Sequence, residues 1–245
     1  MSQTSDAPNP PLSALHWEST HFGISMAQVS AEGLSGQAMG EVLVEASQLG
    51  YELLQASCRV DDERTMCLLE DHGFRIAGTR LCMAKSLRLM GNQTTIQLRR
   101  ANKQDIPALL SQFSDIFKDS RFYQYPGFDA GRVSDMYSLW LEKGVLGQFD
   151  DECLLLENAT GIQGFACLKY HGDHARIGLF GVLPSQRRQG HGLSLLAGLE
   201  CSLLHKEIWA IKTATQAKNF AAIRLYEKAG FHTAAMEIYF VRHLP

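Results

Sequence analysis

The sequence predicts an α/β protein, in which a mixed sheet carries helices on its faces. Short apolar runs with the two-residue period of strands alternate with longer runs of helical period. A basic, glycine-bearing loop joins one such strand to an apolar helix, and a later helix ends at a glycine. Residues 95–245 follow the order β-α-α-β-β-β-α-β-α-β, which is typical of a mixed sheet covered by helices.

The composition is that of a globular protein. The 245 residues are 45% hydrophobic and 20% charged, which is enough for one large core or two smaller ones. A net charge of −3 gives no basic excess for binding nucleic acid. The six cysteines form no Cys-x-x-Cys pair, so we expect reduced thiols. With no secretory signal and no run of ~20 apolar residues, we expect a cytoplasmic protein without a membrane partner.

A polar stretch divides the chain into two predicted domains. Residues 90–94 contain a glycine and separate two apolar runs, so the boundary is placed after residue 93. Residues 1–93 form the first domain, of which residues 1–11 are expected to be a frayed tail. Residues 94–245 form the second domain.

Local patterns predict each element of the second domain in turn. Residues 95–99 alternate like a strand, and residues 105–110 open a helix with Asp105 as its N-cap and Pro107 in its first turn. An aromatic-rich segment then ends in an amphipathic stretch at 133–143. The remaining predictions are a strand hairpin at 152–157 and 162–170, a strand at 175–183, a helix at 193–206, a strand at 208–215, a helix at 219–229 closed by Gly230, and a strand at 237–241.

Two segments of the chain align from end to end, which indicates an internal repeat. Residues 219–231 read NFAAIRLYEKAGF, and residues 62–74 read DERTMCLLEDHGF. Each is followed by a short spacer and an apolar run, although any amphipathic helix that ends in Gly-Phe would share part of this match. Tyr226 corresponds to Leu69, and the first copy has no basic glycine loop. If the copies are related, the first has therefore lost its chemistry.

The loop between Gly181 and Gly192 has features of a pyrophosphate-binding loop. Gly190 and Gly192 let the backbone approach a ligand, and Arg187 and Arg188 add positive charge near a helix N-terminus. A plain strand-to-helix turn would look similar. The loop is not the dinucleotide-binding fingerprint, because the third glycine of that motif is missing. It is not a P-loop, because it lacks the sequence Gly-Lys-Ser/Thr.

The chain resembles the GCN5-related N-acetyltransferase superfamily in two motifs, Val182-x-Pro184-x-x-Arg187-x-x-Gly190-x-Gly192 and Asn219-x-x-Ala222-x-x-Leu225-Tyr226-x-Lys228-x-Gly230-Phe231. The resemblance implies that family's fold, here preceded by a smaller, degenerate acetyltransferase-like domain. It also implies acetyl-CoA as co-substrate, no metal, and a set of residues that bind acetyl-CoA: Phe180, Gly181, Val182, Arg187, Arg188, Gln189, Gly190, His191, Gly192 and Asn219.

The same resemblance implies how the reaction runs. The sheet of this family splays between its fourth and fifth strands, here at 175–182 and 208–215, and the pantetheine arm enters the gap. An amine attacks the thioester directly, and Tyr226 protonates the departing thiolate. A packed helix tyrosine without catalytic duty is the alternative. No carboxylate stands out as the general base, and we expect His171, His174 and His191 to have no catalytic role.

The aromatic segment at 120–129 resembles enzymes that acetylate the 4-amino group of dTDP-4-amino-4,6-dideoxygalactose (dTDP-fucosamine) in surface-polysaccharide synthesis. The resemblance implies a nucleotide-linked amino sugar as acceptor, with Arg121 pairing with the diphosphate and Phe122 and Tyr123 stacking on base or sugar. Simple packing of these aromatic rings is the alternative. Two functions compete with this one: acetylation of another amine, such as a protein N-terminus or a small amine, and a non-catalytic CoA-binding protein. The sequence does not determine the oligomeric state and is compatible with a homodimer.

Overall fold

A computed structural model describes residues 10–88, 96–113, 116–118, 120–125 and 127–245. This part of the chain forms the predicted α/β structure, with strands of both directions. The first seven elements are β1 (Leu12–Ala14), α1 (His16–Phe22), β2 (Met26–Val29), α2 (Gly36–Gln48), β3 (Leu53–Arg59), α3 (Glu63–Asp71) and β4 (Arg75–Ser86). They are followed by β5 (Arg99–Arg100), α4 (Ile106–Phe113), α5 (Ala130–Val145), β6 (Glu152–Asn158), β7 (Gly161–His171), β8 (His174–Val182), α6 (His191–His205), β9 (Ala210–Gln216), α7 (Phe220–Lys228) and β10 (His232–His243).

The chain divides into two compact units. The first contains the residues up to Thr79 together with Met236–Pro245, and the second contains Arg80–Ala235. Strands β4 and β10 therefore each have residues in both units. The predicted boundary after residue 93, with its polar stretch at 90–94, lies outside the described residues, as do residues 1–9 of the predicted tail. The division into 1–93 and 94–245 stays a prediction.

In the first unit, β3 has β2 on one side and the second part of β10 on the other. β2 runs parallel to β3, and β1 adds to β2 in the antiparallel sense. Residues 237–243 pair antiparallel with residues 53–59. The core of this unit is apolar, and it includes Ala27, Met39, Val42, Leu54, Leu69, Phe74 and Phe240.

Helices α3 and α7, which carry the aligned segments of the predicted repeat, begin and end in the same way. The side chains of Asp62 and Asn219 each accept a hydrogen bond from the backbone amide three residues later, over 3.0 and 3.1 Å. Gly73 and Gly230 follow the helices with φ of 75° and 85°, a left-handed conformation that favours glycine. Each helix leads into a strand of 12 residues, β4 or β10. The two segments thus have matching local structure.

The second unit contains β9 between β4 and β8, followed by β7, β6 and β5. Residues 80–86 of β4 pair antiparallel with β9 along its whole length. β8 and β9 run parallel, but they pair only at residues 174–176 and 210–212. β8 continues to Val182 and β9 to Gln216, and over this described stretch no pairing joins them. The two strands therefore part, and they leave backbone edges open to a ligand.

The structure corrects several predicted element boundaries. The helix expected at 105–110 is Ile106–Phe113, and Asn102 rather than Asp105 caps the turn before it. The Asn102 side chain accepts a hydrogen bond from the Gln104 amide, and the Asp105 carboxylate accepts one from the Asn102 amide. Helix α6 starts at His191, two residues earlier than expected, because Gly190 serves as its N-cap with φ of 88°. The last strand, expected at 237–241, is His232–His243.

Candidate active site

A cleft of about 550 Å³ opens in the second unit where β8 and β9 part. This volume is in the range of small-molecule sites, ~300–1,000 Å³. Residues of both parted strands line it, 176–180 on β8 and 212–216 on β9. Further lining comes from β4, from α5 and the loop after it, and from α7, and it includes Tyr137, Trp140, Phe149, Asp150, Asn219 and Tyr226. Polar and aromatic side chains from several elements therefore lie close together where β8 and β9 part, a place called the split below.

Tyr226 of α7 is a buried phenol at the wall of the cleft. Its ring packs against Phe180 of β8 with ring centroids 5.9 Å apart, and 4% of the residue is exposed. The Thr213 hydroxyl donates a hydrogen bond to its phenol oxygen over 3.4 Å. Burial raises the pKa of Tyr226 to about 12, and the bond from Thr213 opposes the rise. The phenol is therefore protonated near neutral pH and able to donate a hydrogen bond.

The basic glycine loop lies between β8 and α6. Arg188 and Gly190 have φ of 64° and 88°, so the chain turns sharply before the helix. A Cβ at Gly190 would meet no atom within 4 Å, whereas a Cβ at Gly192 would lie 3.0 Å from the Leu225 side chain. The two glycines therefore serve different needs: Gly190 allows the turn beside open space, and Gly192 allows α6 to pack closely on α7.

The other residues predicted to bind acetyl-CoA lie at or beside the cleft. Phe180 and Asn219 line it, and the Asn219 side chain is already bonded to the Ala222 amide as the cap of α7. Gly181 faces the interior, since a Cβ there would approach Phe165 to 2.7 Å. Val182, like Phe180, lies on the part of β8 that has no pairing with β9. Backbone rather than side-chain groups are thus the accessible donors and acceptors of this strand segment.

The predicted acceptor residues lie in a short 3-10 turn, Arg121–Gln124. Arg121 and Phe122 line the cleft, and Tyr123 is not among the described lining residues. Phe122 is 6% exposed and packs edge-on against Trp140 with ring centroids 6.1 Å apart. The Arg121 guanidinium lies over the Phe122 ring, 4.2 Å from its centroid. The Phe122 ring therefore packs the wall and supports Arg121.

An exposed aromatic surface, missed in the sequence, lies next to this turn. Phe149 is 47% exposed and stacks on Trp140 with ring centroids 5.9 Å apart and planes 20° from parallel. Both rings line the cleft. Phe149 follows α5 in a loop, and a loop position does not reveal by sequence which side chains enter a cavity.

Asp150 is the second residue that sequence reasoning missed. It lies two residues before β6, lines the cleft, and is 1% exposed. Its Oδ1 atom has no hydrogen-bond partner among the described residues, and the Arg176 Nη2 atom lies 4.0 Å away. Burial raises the pKa of the carboxyl, and the positive charges of Arg176 and Lys169 act in the opposite direction.

Basic side chains outnumber acidic ones around the cleft. Arg80, Arg121, Arg176 and Lys212 line it, and Asp150 is the one acidic side chain among the described lining residues. The whole chain, in contrast, has a net charge of −3. The positive charge is therefore concentrated where an anionic ligand would bind.

Comparison with known proteins decides what this arrangement is. Residues 111–231, which include the parted strands, the glycine loop and Tyr226, match the Acetyltransferase (GNAT) family. This region of the chain belongs to the GNAT acetyltransferase family. The acetyltransferase is acyl-CoA-dependent and acts on amines, as the sequence motifs predict.

Relatives of the acetyltransferase extend the comparison beyond this region. It is 27% identical over 218 residues to the dTDP-fucosamine acetyltransferase of Escherichia coli O6:H1, an alignment that covers 88% of this chain and 91% of that protein. A GCN5-related N-acetyltransferase from Sphaerobacter thermophilus is similar in structure, with a TM-score of 0.64 and 16% identity over 95% of this chain and 76% of that one. A tandem GNAT protein from the clavulanic acid biosynthesis pathway has a TM-score of 0.59 and 15% identity over 90% and 76% of the two chains. The two structural likenesses show the fold.

Three further findings concern the described residues of the acetyltransferase. They contain no group of three or more His, Cys, Asp or Glu side chains placed to hold a metal ion. No helix in them has the length and apolar character needed to cross a membrane. The six cysteines are free thiols, and Cys153 and Cys167 are buried.

Proposed function

We propose that the acetyltransferase moves the acetyl group of acetyl-CoA to the 4-amino group of a dTDP-linked amino-deoxysugar, in the synthesis of surface polysaccharide. The observation that carries the proposal is the likeness to dTDP-fucosamine acetyltransferase, which extends over 91% of that protein. The likeness thus includes the first unit and the segments around the cleft as well as the GNAT region.

The chemistry of the cleft supports an anionic, ring-bearing acceptor. Arg80, Arg121, Arg176 and Lys212 provide positive charge for a diphosphate, and arginine in particular can bind phosphate oxygens in pairs. The exposed face of Phe149 offers a stacking surface for a base or a sugar. A protein N-terminus, which is cationic, would be disfavoured by the same charges. We therefore assign Arg121 to the diphosphate, with the Phe122 ring supporting its guanidinium in the wall of the cleft. The stacking of Phe122 and Tyr123 on the acceptor stays a prediction from the sequence.

Acetyl-CoA is proposed to enter between the parted strands. The open backbone edge of β8 at Phe180 and Val182 can pair with the amides of the pantetheine arm as a neighbouring strand would. The amides at the N-terminus of α6 can bind the pyrophosphate, together with the side chains of Arg187 and Arg188. The residues that supply these backbone amides are Gln189, Gly190, His191 and Gly192.

Tyr226 is proposed to assist departure of the thiolate. As the amine nitrogen bonds to the acetyl carbon, the carbon–sulfur bond breaks and its electron pair leaves on sulfur. With a pKa of about 12, the phenol is a weaker acid than an ordinary thiol, pKa ~8.5. Its contribution is therefore a hydrogen bond that stabilises the sulfur as negative charge grows on it.

We further propose that the first unit contains a degenerate copy of the acetyltransferase fold. The matching caps and terminal glycines of α3 and α7 support a common origin. So does the parallel pairing of β2 with β3 and of β8 with β9, since in each case a helix connects the two strands. In the first copy Leu69 stands where Tyr226 stands in the second, so this copy lacks the phenol.

The proposed function is tested by thiol release from acetyl-CoA with a panel of acceptors: dTDP-4-amino-4,6-dideoxygalactose, other dTDP-amino sugars, spermidine and a peptide with a free N-terminus. We expect turnover with the dTDP-sugars, and a kcat lower by ~10²–10⁴ in Tyr226→Phe. Tyr51→Phe, a tyrosine of the first unit, serves as the matched control.

Each outcome assigns the function. Turnover with spermidine or the peptide and none with a dTDP-sugar would overturn the acceptor. Equal kcat in Tyr226→Phe and in the wild type would overturn the role of the phenol. Acetyl-CoA binding without turnover of any acceptor in the panel would contradict the proposed acceptor class as a whole.

A further inference from the structure

We propose that Asp150 is the base that takes the proton from the acceptor ammonium, so that the free amine can attack the thioester. The inference rests on acetyl transfer in this cleft, as proposed above, but it does not depend on which amine accepts the acetyl group. It is carried by the position of the carboxylate, by the absence of a hydrogen bond to its Oδ1 atom and by the shape of the strand beside it.

The carboxylate of Asp150 fits against a strand position that has no side chain. A Cβ at Gly178 of β8 would lie 2.8 and 2.9 Å from its two oxygens, so the carboxylate contacts the strand only because this residue is glycine. Gly178 is also the extra residue of a β-bulge, since Cys167 pairs with Leu179 and Leu168 pairs with Ile177. The bulge and the glycine together make room for an acid at the edge of the split.

Asp150 and Tyr226 lie on opposite sides of the same short strand segment. Asp150 is on the side of α5, because a Cβ at Gly144 of that helix would be 3.4 Å from its Oδ2 atom. Tyr226 packs against Phe180, whose side chain points away from that of its neighbour Leu179, a residue in the core formed with α5. The bulge at Gly178 interrupts the alternation of side chains, so Gly178 and Phe180 face opposite sides although they lie within about 7 Å of each other along the strand. An acetyl group in the split thus has the phenol on one side and the carboxylate on the other.

The carboxylate has an unused acceptor atom in the cleft. Asp150 is 1% exposed, and its Oδ1 atom is buried without a hydrogen-bond partner in the part of the chain that the structure describes. An ammonium group or a bridging water would donate a hydrogen bond to this atom. Without such a donor, the buried atom stays without a hydrogen bond, which costs free energy. The Arg176 guanidinium, 4.0 Å from this atom, is too far away to form a hydrogen bond with it, so we assign the atom to the reaction.

The protons and electrons of the step balance. The nitrogen of the ammonium loses a first proton to Asp150, which passes it to water, and its lone pair then forms the bond to the acetyl carbon. The electron pair of the carbon–sulfur bond leaves on sulfur. A second proton leaves the nitrogen as the amide forms, and it balances the proton that reaches the CoA sulfur. The net products are amide, CoA thiol and one proton.

Several charged or titratable groups face Asp150. They are Arg176 on β8, Lys169 and Cys167 on β7, and the neighbouring Asp151. Asp151 differs from Asp150 in that it accepts bonds from the Tyr170 amide and from Lys169, over 2.6 and 3.2 Å. Burial outweighs Arg176 and Lys169 and raises the pKa of Asp150, which makes it a stronger base than an exposed aspartate.

The test compares Asp150→Asn with Asp151→Asn, which removes the same charge one residue away. With whichever acceptor of the panel the wild type acetylates, we expect kcat to fall ~10²–10⁴-fold in Asp150→Asn and less than about threefold in Asp151→Asn. The residual rate of Asp150→Asn should rise about tenfold per pH unit below the pKa of the amine, because only the free amine then reacts. Gly178→Ala, which displaces the carboxylate, should also lower kcat.

Two measurements need no acceptor. We expect Asp150→Asn to keep the acetyl-CoA affinity of the wild type by calorimetry, and to have an equal or higher Tm because no charge is buried. A kcat within threefold of wild type, or a tenfold loss of acetyl-CoA affinity, would overturn the proposal. Parallel losses of kcat and Tm in both Asp150→Asn and Gly178→Ala would show a structural role instead. Failure of the dTDP-sugars with turnover of another amine overturns only the proposed acceptor, since the Asp150 comparison is then made with that amine.

Discussion

The Thr213 hydroxyl on β9 donates a hydrogen bond to the phenol oxygen of Tyr226 on α7, over 3.4 Å inside the wall of the cleft. Both residues are almost fully buried, with 5% and 4% exposed. The bond holds the phenol oxygen toward the parted strands, and it favours the ionised form of Tyr226 against the effect of burial. Thr213 therefore affects both the position and the acidity of the phenol.

Thr213→Val is expected to lower kcat by about 3–10-fold, with little change in KM for the acceptor, because the phenol becomes a weaker acid and loses its orientation. The measurement is steady-state thiol release. Thr213→Ser keeps the hydroxyl and serves as the control, with a kcat near that of the wild type. If Ser and Val reduce kcat equally, loss of packing rather than of the hydrogen bond is the cause.

Gly192→Ala is expected to destabilise the protein by about 1–3 kcal/mol, because the new methyl would lie 3.0 Å from the Leu225 side chain. The free energy of unfolding is measured in denaturant. Leu225→Ala removes the colliding methyl groups, so the cost of Gly192→Ala should shrink in that background. As a control, Gly40→Ala in α2, where a Cβ meets no atom within 4 Å, should be neutral or stabilising by about 0.5–1 kcal/mol. Additive costs of the two changes would contradict the contact.

Arg99→Gln is expected to lower stability at neutral pH by about 0.5–1 kcal/mol. The Arg99 guanidinium donates to both oxygens of Asp105 and of Glu157, and it holds the pKa of each carboxyl below its usual value. Such groups stabilise the fold above their unfolded pKa values, ~3.9 and ~4.3, and this stability is lost as the pH falls through the folded pKa.

The difference in Tm between wild type and Arg99→Gln should therefore be largest near neutral pH, and it should shrink as the pH falls through the folded pKa values of the two carboxyls. Melting curves over this range make the measurement. The control is Lys103→Gln, which removes an exposed cation from the turn that carries Asp105, and its Tm should differ little from that of the wild type at any pH. A gap that persists in acid would mean that Arg99 acts by packing of its side chain.

A fragment of residues 94–245, which follows the boundary predicted from sequence, is expected to be unstable. It lacks β4, so β9 loses its antiparallel partner along residues 210–216 and presents an open edge. Circular dichroism and gel filtration of this fragment and of residues 75–245 test the point. The longer fragment keeps β4 and should be the more stable of the two. Equal stability would show that β4 is dispensable for the second unit.

The sequence predicted those parts of the site that depend on local chemistry. Asn219 before an amphipathic helix and Gly230 after it are signals of a cap and of a left-handed turn, and both lie where expected. The glycine loop before α6 and the position of Tyr226 on α7 follow from short motifs of the same kind. Each of these features is determined by residues within one or two turns of chain.

Features that depend on distant parts of the chain could not be predicted in this way. Asp150 and Asp151 are identical side chains at neighbouring positions, and only the approach of Gly144 and Gly178 decides which one enters the cleft. The pairing of β4 with β9 likewise joins residues more than a hundred positions apart, and neither strand carries a local signal for its partner.

The first unit is built from two segments that lie at opposite ends of the chain, which affects how it folds during synthesis. Residues 237–243 provide the antiparallel neighbour of β3, yet they are translated long after it. At ~5–20 residues per second, the nearly 180 residues between the two strands keep this edge of β3 unpaired for about ten seconds or more. An unpaired apolar edge is a template for association between nascent chains. We therefore expect the yield of soluble protein to depend on chaperones that cover this edge until β10 arrives.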